Sequence, residues 1–259
     1  MRVRAFTAAL SGALAFCAFG VAPAQASPVS PTTITAVTVN GGQPIAVGTT
    51  TKTISAAVLG TNDSGIGAGT VLLWHGATDY AHRDATLSDP NLGVCFSPGA
   101  FGYCTSTIGI TPALDSDRAL YSNSLAGTWK VAPFLWGANH QPGYSYQYST
   151  VQVLRQAKLS ADAAPEPAYV GQTINVSGRL VRADWETGAY AGYANRPVQL
   201  QFHKTGSTGF VTLKTVTTGS DGVLNTTVKV SANGSYRFAF TADATTSAVQ
   251  SVEDVVNVG

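Results

Sequence analysis

Charged side chains are scarce in this chain, at only 11% of its 259 residues. The 15 basic and 14 acidic side chains nearly balance, and no stretch clusters the lysines and arginines that binding to a phosphate backbone requires. We therefore expect no nucleic-acid partner. A chain with so few charged residues is unlike one that forms surface helices, whereas its abundant Thr, Val, Ser and Gly are typical of strands and turns.

Long hydrophobic runs are also missing, apart from one near the start. After Arg2 and Arg4, an apolar run extends from Ala8 to Val21, and Ala24-Gln25-Ala26 follows. This is the pattern of a secretory signal peptide, and the run is shorter than the roughly 20 residues that span a bilayer. We expect cleavage before Ser27, a secreted protein that is extracellular or associated with the cell wall, and no membrane span in the mature chain.

Cysteine is rare, with three residues in all. Cys17 lies in the predicted signal peptide, and Phe16 before it disfavours the alternative of a lipid-modified cysteine. The other two, Cys95 and Cys104, are expected to form a disulfide in an exported chain, because the residues between them add no further metal ligand. A disulfide that closes such a short loop would stabilise the fold by roughly 3 kcal/mol, because it lowers the conformational entropy of the unfolded chain.

Apolar residues recur at every second position, the period of half-buried strands. This alternation is clear from Thr173 to Leu180, at Val198, Leu200 and Phe202, and at Tyr236, Phe238 and Phe240. Turn sequences such as Asn40-Gly41-Gly42 and Ser220-Asp221-Gly222 separate the strands at short intervals. The one helical candidate, Asp115 to Leu125, is short and polar. The fold class predicted is all-β, built of sandwiches.

A weak internal repeat divides the chain. Gly127-Thr128-Trp129-Lys130-Val131 matches Gly234-Ser235-Tyr236-Arg237-Phe238, and Thr53-Ile54-Ser55 corresponds to Thr173-Ile174-Asn175. We predict a signal peptide at 1–26, an N-terminal sandwich at 27–156 and a C-terminal sandwich at 157–259. Trp129 and Tyr236 are expected to be buried at matching places, with the Tyr236 hydroxyl bonded to nearby backbone.

Motifs in both halves carry a family resemblance. They include Leu73-Trp74-His75-Gly76 in the first half, and Pro165-Glu166-Pro167, Ala183-Asp184-Trp185 and Tyr190-Ala191-Gly192-Tyr193 in the second. With these motifs the chain resembles secreted actinobacterial, Streptomyces-type proteins with tandem immunoglobulin-like domains. The resemblance covers nearly the whole chain after residue 26. It implies an immunoglobulin-like fold and export, and it assigns no activity, cofactor or functional residue.

Histidines and acids cluster at His75, Asp79, His82 and Asp84, where a metal could draw ligands, but no known metal-site spacing is met. A polar surface loop is the simpler interpretation. Asp115-Ser116-Asp117 begins like a calcium loop, and the residues after it do not continue the pattern, which leaves only an irregular site through Asn62, Asp63 or Asp115 and Asp117 as an alternative. No G-x-S-x-G nucleophile elbow occurs, so a hydrolase whose Ser, His and Asp meet only in space is a minor alternative. We expect no enzyme, cofactor or metal.

Aromatic residues give the most suggestive surface pattern. Tyr144, Tyr146 and Tyr148 alternate with polar residues, which places three phenols on one strand face. The favoured interpretation is an inward core face, and the alternative is a platform for sugar rings. Trp185 and Tyr190 form a second candidate carbohydrate contact, or else pack over the end of a sandwich. The function expected is non-enzymatic binding or structural support, with a wall polymer or secreted protein as partner.

Overall fold

The computed structural model describes residues 29–113 and 120–259. The predicted signal peptide, including Cys17, and the Asp115-Ser116-Asp117 segment lie outside the described residues. In the described part the chain forms twenty strands and three short 3-10 turns, at Asn40–Gly42, Tyr80–His82 and Asn123–Leu125, with no α-helix. The all-β prediction is confirmed.

The first ten strands build one sandwich of two sheets. They are β1 (Thr33–Val39), β2 (Ile45–Val47), β3 (Lys52–Thr61), β4 (Ile66–His75), β5 (Ala85–Ser88), β6 (Val94–Phe96), β7 (Phe101–Ile110), β8 (Gly127–Gly137), β9 (Pro142–Tyr144) and β10 (Ser149–Arg155). Sheet I has the order β1-β3-β7-β6, and sheet II the order β2-β10-β8-β4-β5, with β9 also paired to β8. Among these ten strands β2 and β10 pair in parallel, and the other pairs are antiparallel. This is the strand order of an immunoglobulin-like sandwich.

The other ten strands build two further sheets. They are β11 (Ala157–Leu159), β12 (Asp162–Ala164), β13 (Thr173–Asp184), β14 (Ala189–Gly192), β15 (Pro197–Lys204), β16 (Val211–Thr217), β17 (Val223–Lys229), β18 (Gly234–Phe240), β19 (Val249–Gln250) and β20 (Asp254–Val256). In sheet III, β11, β12, β14 and β17 all pair with β13. Sheet IV has the order β16-β15-β18-β19, with β20 also paired to β18.

Alternating strands fill both cores as the sequence predicts. In β7 every second side chain is buried, and the intervening side chains face solvent. The predicted inward rows of β13, β15 and β18 are all buried, including Ile174, Leu200 and Phe238. Trp129 in β8 and Tyr236 in β18 are each the third residue of their strand, and both are buried. The repeat therefore marks equivalent core positions.

Gln156 alone separates β10 from β11. Its backbone N–H donates to the carbonyl of Val47 at 2.8 Å, and its own carbonyl accepts from the N–H of Ala183 at 2.8 Å. Beside it, the buried Arg155 side chain donates through Nε to the Ala183 carbonyl at 2.5 Å. The junction is therefore hydrogen-bonded on both sides. The boundary of independent folding between residues 156 and 157 stays a prediction.

Candidate functional site

The three tyrosines of the sequence pattern do not lie on one strand. β9 ends at Tyr144, residues 146 and 147 form a turn, and β10 begins at Ser149. Tyr144, Tyr146 and Tyr148 are 56%, 43% and 41% exposed. The interpretation of this row as a core face is therefore wrong. The chain bulges between two backbone bonds to β8, where the four residues 145–148 lie opposite Ala132 and Pro133.

Two of these tyrosines join a larger group, the aromatic strip, on the outer face of sheet II. Its rings belong to Trp136, Phe134, Tyr144, Tyr146 and Tyr80. Phe134 lies 6.2 Å from Trp136 and 5.8 Å from Tyr144 between ring centroids, with interplanar angles of 17° and 16°. Tyr146 meets Tyr144 edge-on at 5.4 Å and stacks on Tyr80 at 4.6 Å. Five aromatic rings thus form one continuous surface.

Sheet register explains how the strip assembles. Phe134 of β8 is the cross-strand partner of Tyr144 in β9, and Trp136 is two residues further along β8 on the same face. The bulge after Tyr144 brings Tyr146 over Trp74, whose Nε1 donates to the Tyr146 carbonyl at 2.5 Å. The central strand and this bond fix the rings in place before any ligand arrives.

Charged groups lie at one end of the strip and are already engaged. Arg83 stacks 4.1 Å from the Tyr80 ring centroid, and its Nη1 donates to the Tyr80 carbonyl at 2.7 Å. Lys130 lies 4.6 Å from the Trp74 ring and donates to the carbonyl of Gly76. No charged residue belongs to the Trp136, Phe134 and Tyr144 end of the strip. That end therefore suits an uncharged ligand.

The candidate metal ligands are arranged as two separate pairs. His75 Nδ1 lies 2.8 Å from an oxygen of Asp84, and His82 Nδ1 lies 2.8 Å from an oxygen of Asp79. The side-chain hydrogen bond with His82 lowers the pKa of Asp79. Asp79 also accepts from the backbone N–H of His82, so it caps the Tyr80–His82 turn and helps to place Tyr80. Within residues 29–113 and 120–259, no group of three or more metal-ligating side chains occurs.

Asn62, named above as a candidate calcium ligand, is buried. Its Nδ2 donates to the Ser30 carbonyl at 3.0 Å and to Asn139 Oδ1 at 3.1 Å, and its Oδ1 accepts from the N–H of Ser64 at 2.9 Å. A side-chain oxygen that already accepts a backbone hydrogen bond in a buried network serves to hold the loops together. Asn62 is thus a structural residue.

Tyr148 lies to one side of the strip. Its hydroxyl donates to the carbonyl of Thr35 in β1 at 3.3 Å, which ties the bulge to sheet I. Between this ring and Tyr144 a shallow groove of about 440 Å³ is lined by Pro142, Ser145 and residues 32–34. The groove extends the strip toward β1.

The second carbohydrate candidate is not a surface platform. Trp185 is 1% exposed and packs into the core of the first sandwich, and its Nε1 donates to the Val47 carbonyl at 3.2 Å. A ring with no accessible face cannot stack on a sugar, so Trp185 as a carbohydrate contact is wrong. Tyr190 is half-buried: its hydroxyl donates to Gln156 Oε1 at 2.6 Å, and Lys158 covers its ring at 3.8 Å.

Polar contacts around Trp185 join the two halves of the chain. The Asn123 side chain accepts through Oδ1 from the backbone N–H of Trp185 at 3.0 Å. Its Nδ2 donates to Asp184 Oδ1, also at 3.0 Å. Glu186 accepts from the N–H of Asn123 at 2.8 Å. The side-chain bond from Asn123 lowers the pKa of Asp184, and the backbone bond from Asn123 lowers that of Glu186. This side of the molecule therefore holds the sandwiches together.

The predicted disulfide is confirmed. Cys95 in β6 and Cys104 in β7 are cross-strand partners with an S–S distance of 2.03 Å. It links neighbours within sheet I and does not join the two sheets. Its role is to fix the short strand β6 to the long strand β7.

Comparison with known proteins gives a distant likeness. No family model and no curated protein matches the chain. Among solved structures, the D00-D0 domain of intimin is 14% identical, with 85% of this chain and 99% of that chain covered and a TM-score of 0.28. FdeC, an Escherichia coli adhesin, is 15% identical, with 89% and 64% covered and a TM-score of 0.30. Mouse nectin-like molecule 4 is 12% identical, with 88% and 65% covered and a TM-score of 0.26.

Such scores carry no functional argument, so the fold assignment rests on the strand order itself. In the described part of the chain, no helix has the length and hydrophobicity to cross a membrane.

Proposed function

We propose that this chain is a non-enzymatic, exported carbohydrate-binding protein that binds uncharged sugar rings on the aromatic strip of the first sandwich. The observation that carries the proposal is the nearly parallel set of Trp136, Phe134 and Tyr144 on the outer face of sheet II, in which Tyr144 is exposed and the other two rings are half-buried. A contiguous apolar surface of this kind on an otherwise ordinary sandwich marks a binding site.

The chemistry of the strip matches a sugar. An aromatic face is electron-rich, and it attracts the partly positive C–H groups on one side of a pyranose ring. The Tyr144 and Tyr146 hydroxyls add donors and acceptors for sugar hydroxyls. The Trp136 end of the strip contains no charged side chain that could pair with a charged ligand. An uncharged wall polysaccharide therefore fits better than an acidic peptide or a nucleic acid.

The strip is also preorganised. Phe134 and Trp136 stand on β8, which is paired along its length with β4, and Tyr146 is held through the Trp74 bond. Rings that are already fixed lose little side-chain entropy when a ligand binds.

The test uses the mature chain, residues 27–259, with chitin, soluble uncharged glucans and isolated cell-wall sacculi as probes. Affinity electrophoresis and titration calorimetry should show binding to at least one of these. Tyr144→Ala should weaken that binding about tenfold, since losing one stacking contact costs about 1.4 kcal/mol. The matched control is Tyr169→Ala, because Tyr169 is 68% exposed but lies in the second sandwich. Its affinity should equal that of the unaltered protein.

Two results would overturn the proposal. One is the absence of binding to every polysaccharide in the panel. The other is equal affinity of Tyr144→Ala and Tyr169→Ala. Either would leave a protein partner as the explanation for the strip.

A further inference from the structure

A second apolar surface lies on the opposite side of the first sandwich. Val94 and Phe96 of β6, and Phe101 and Tyr103 of β7, are all exposed on the outer face of sheet I, Val94 at 79%. Phe96 and Tyr103 are cross-strand partners with ring centroids 5.9 Å apart. These four residues are called the outer apolar patch. It shares no residue with the aromatic strip.

The patch is held rigidly. The disulfide joins β6 to β7, the N–H of Gly93 donates to the Gly69 carbonyl at 2.8 Å, and Ser97 Oγ accepts from the N–H of Ile66 at 2.8 Å. Both ends of β6 are therefore tied to β4. A short strand fixed at both ends and cross-linked in the middle keeps its exposed side chains in place.

Charge is nearly absent from the surrounding sheet. Lys52 is the single charged residue in the four strands of sheet I, and it lies at the far end from Phe101. Asp89 is engaged, because its Oδ2 accepts from the N–H of Thr107 at 2.8 Å. Asp63 lies in the turn after β3, two residues beyond Thr61, the cross-strand partner of Phe101. Sheets that must stay unpaired usually carry charged gatekeepers on such a surface.

We propose that the outer face of sheet I is a self-association surface on which a second copy of this chain docks by its own outer apolar patch. An uncharged apolar surface complements itself, since a two-fold axis sets like against like without charge repulsion. It offers no counter-charge to a charged partner. A mature chain with a net charge of about −1 also has little long-range repulsion between copies.

The area available predicts a weak dimer. The four strands have 7, 10, 3 and 10 residues, and at about 3.4 Å per residue and 4.8 Å between strands they present roughly 490 Å² per copy. That lies at the lower end of specific interfaces, where association is transient. Because sheet II faces away from sheet I, a dimer would present two aromatic strips outward. Two sites on one particle raise the apparent affinity for a repeating polymer without any new contact.

Sedimentation velocity of the full mature chain from about 1 to about 300 μM tests the proposal. We expect a reversible monomer–dimer equilibrium with a midpoint in the micromolar range. Val94→Lys should raise the midpoint concentration of dimer formation at least about tenfold, because the lysines of the two copies would face each other across the two-fold axis. The matched control is Val211→Lys. Val211 is 59% exposed on β16, the edge strand of sheet IV, and this change should leave the midpoint unaltered.

Thermal unfolding of both lysine variants checks that each is folded, as expected for exposed positions. A chain that stays monomeric across the whole range would overturn the proposal. So would a dimer that responds equally to Val94→Lys and Val211→Lys. Neither result bears on sugar binding at a single aromatic strip, which is tested with Tyr144→Ala and Tyr169→Ala.

Discussion

The two sandwiches bury side chains at equivalent strand positions, but they differ on the outer face of one sheet. β8 and β18 begin alike, with Gly127 and Gly234, and each buries its third residue. β18 ends after 7 residues, whereas β8 continues for 11. Phe134 and Trp136 stand on this extension of β8. The candidate binding surface therefore lies on a part of β8 for which β18 has no counterpart.

The outer face of sheet IV shows the alternative. Arg237 of β18 lies 3.6 Å from the Phe210 ring centroid, and its Nε donates to Gln201 Oε1 at 2.9 Å. Arg237 and Gln201 bond to each other there, and Arg237 covers the Phe210 ring. The inner faces explain stability in both sandwiches, and the outer faces separate their roles.

The largest effects are expected where the two sandwiches agree. Trp129→Ala and Tyr236→Ala each remove a buried ring from an equivalent core position. Each should lower the free energy of unfolding by about 3 to 5 kcal/mol, measured by urea denaturation. A loss below about 1 kcal/mol for either variant would contradict the equivalence of the two strands.

A somewhat smaller effect is expected where the sandwiches meet. Trp185→Ala should cost about 3 kcal/mol, because it removes from the core of the first sandwich a buried ring that the second half of the chain supplies. Urea unfolding followed by fluorescence and by circular dichroism should then show two transitions instead of one. The control is Trp136→Ala, an outer-face tryptophan, which should keep a single transition. Coincident curves for Trp185→Ala would mean that the ring does not couple the two halves.

Much of the fold is readable in the sequence because strands have a strict period. Ile174, Leu200 and Phe238 were predicted to be inward from alternation alone, and they are buried. At Tyr144, Tyr146 and Tyr148 the alternation gave no sign of which side faces the core, and the bulge between β9 and β10 is equally invisible in the sequence.

The aromatic strip was predicted only in part. Phe134 and Trp136 lie in a run from Ala132 to Trp136 that is apolar throughout, so no alternation separates inner from outer positions. Their position became visible only through the pairing of β8 with β9. The sequence did not decide between a surface and a buried position for Trp185, since its burial depends on the first sandwich, which lies far away in sequence.

The smallest expected effect on stability concerns the polar side-chain atoms of the two buried rings, Trp129 and Tyr236. Trp129 Nε1 donates to the Leu125 carbonyl at 2.8 Å, whereas the Tyr236 hydroxyl has no hydrogen-bond partner among residues 29–113 and 120–259, contrary to the expected backbone tie. Burial alone raises the pKa of Tyr236. Tyr236→Phe should therefore change the free energy of unfolding by no more than about 0.5 kcal/mol.

Trp129→Phe should cost about 2 kcal/mol, because it leaves the Leu125 carbonyl without its donor and opens a cavity. Urea denaturation of both Phe variants beside the unaltered protein measures the difference. Equal losses would show that the Tyr236 hydroxyl is as firmly bonded as the Trp129 ring N–H, and that the two strands match in their polar contacts as well as in their packing.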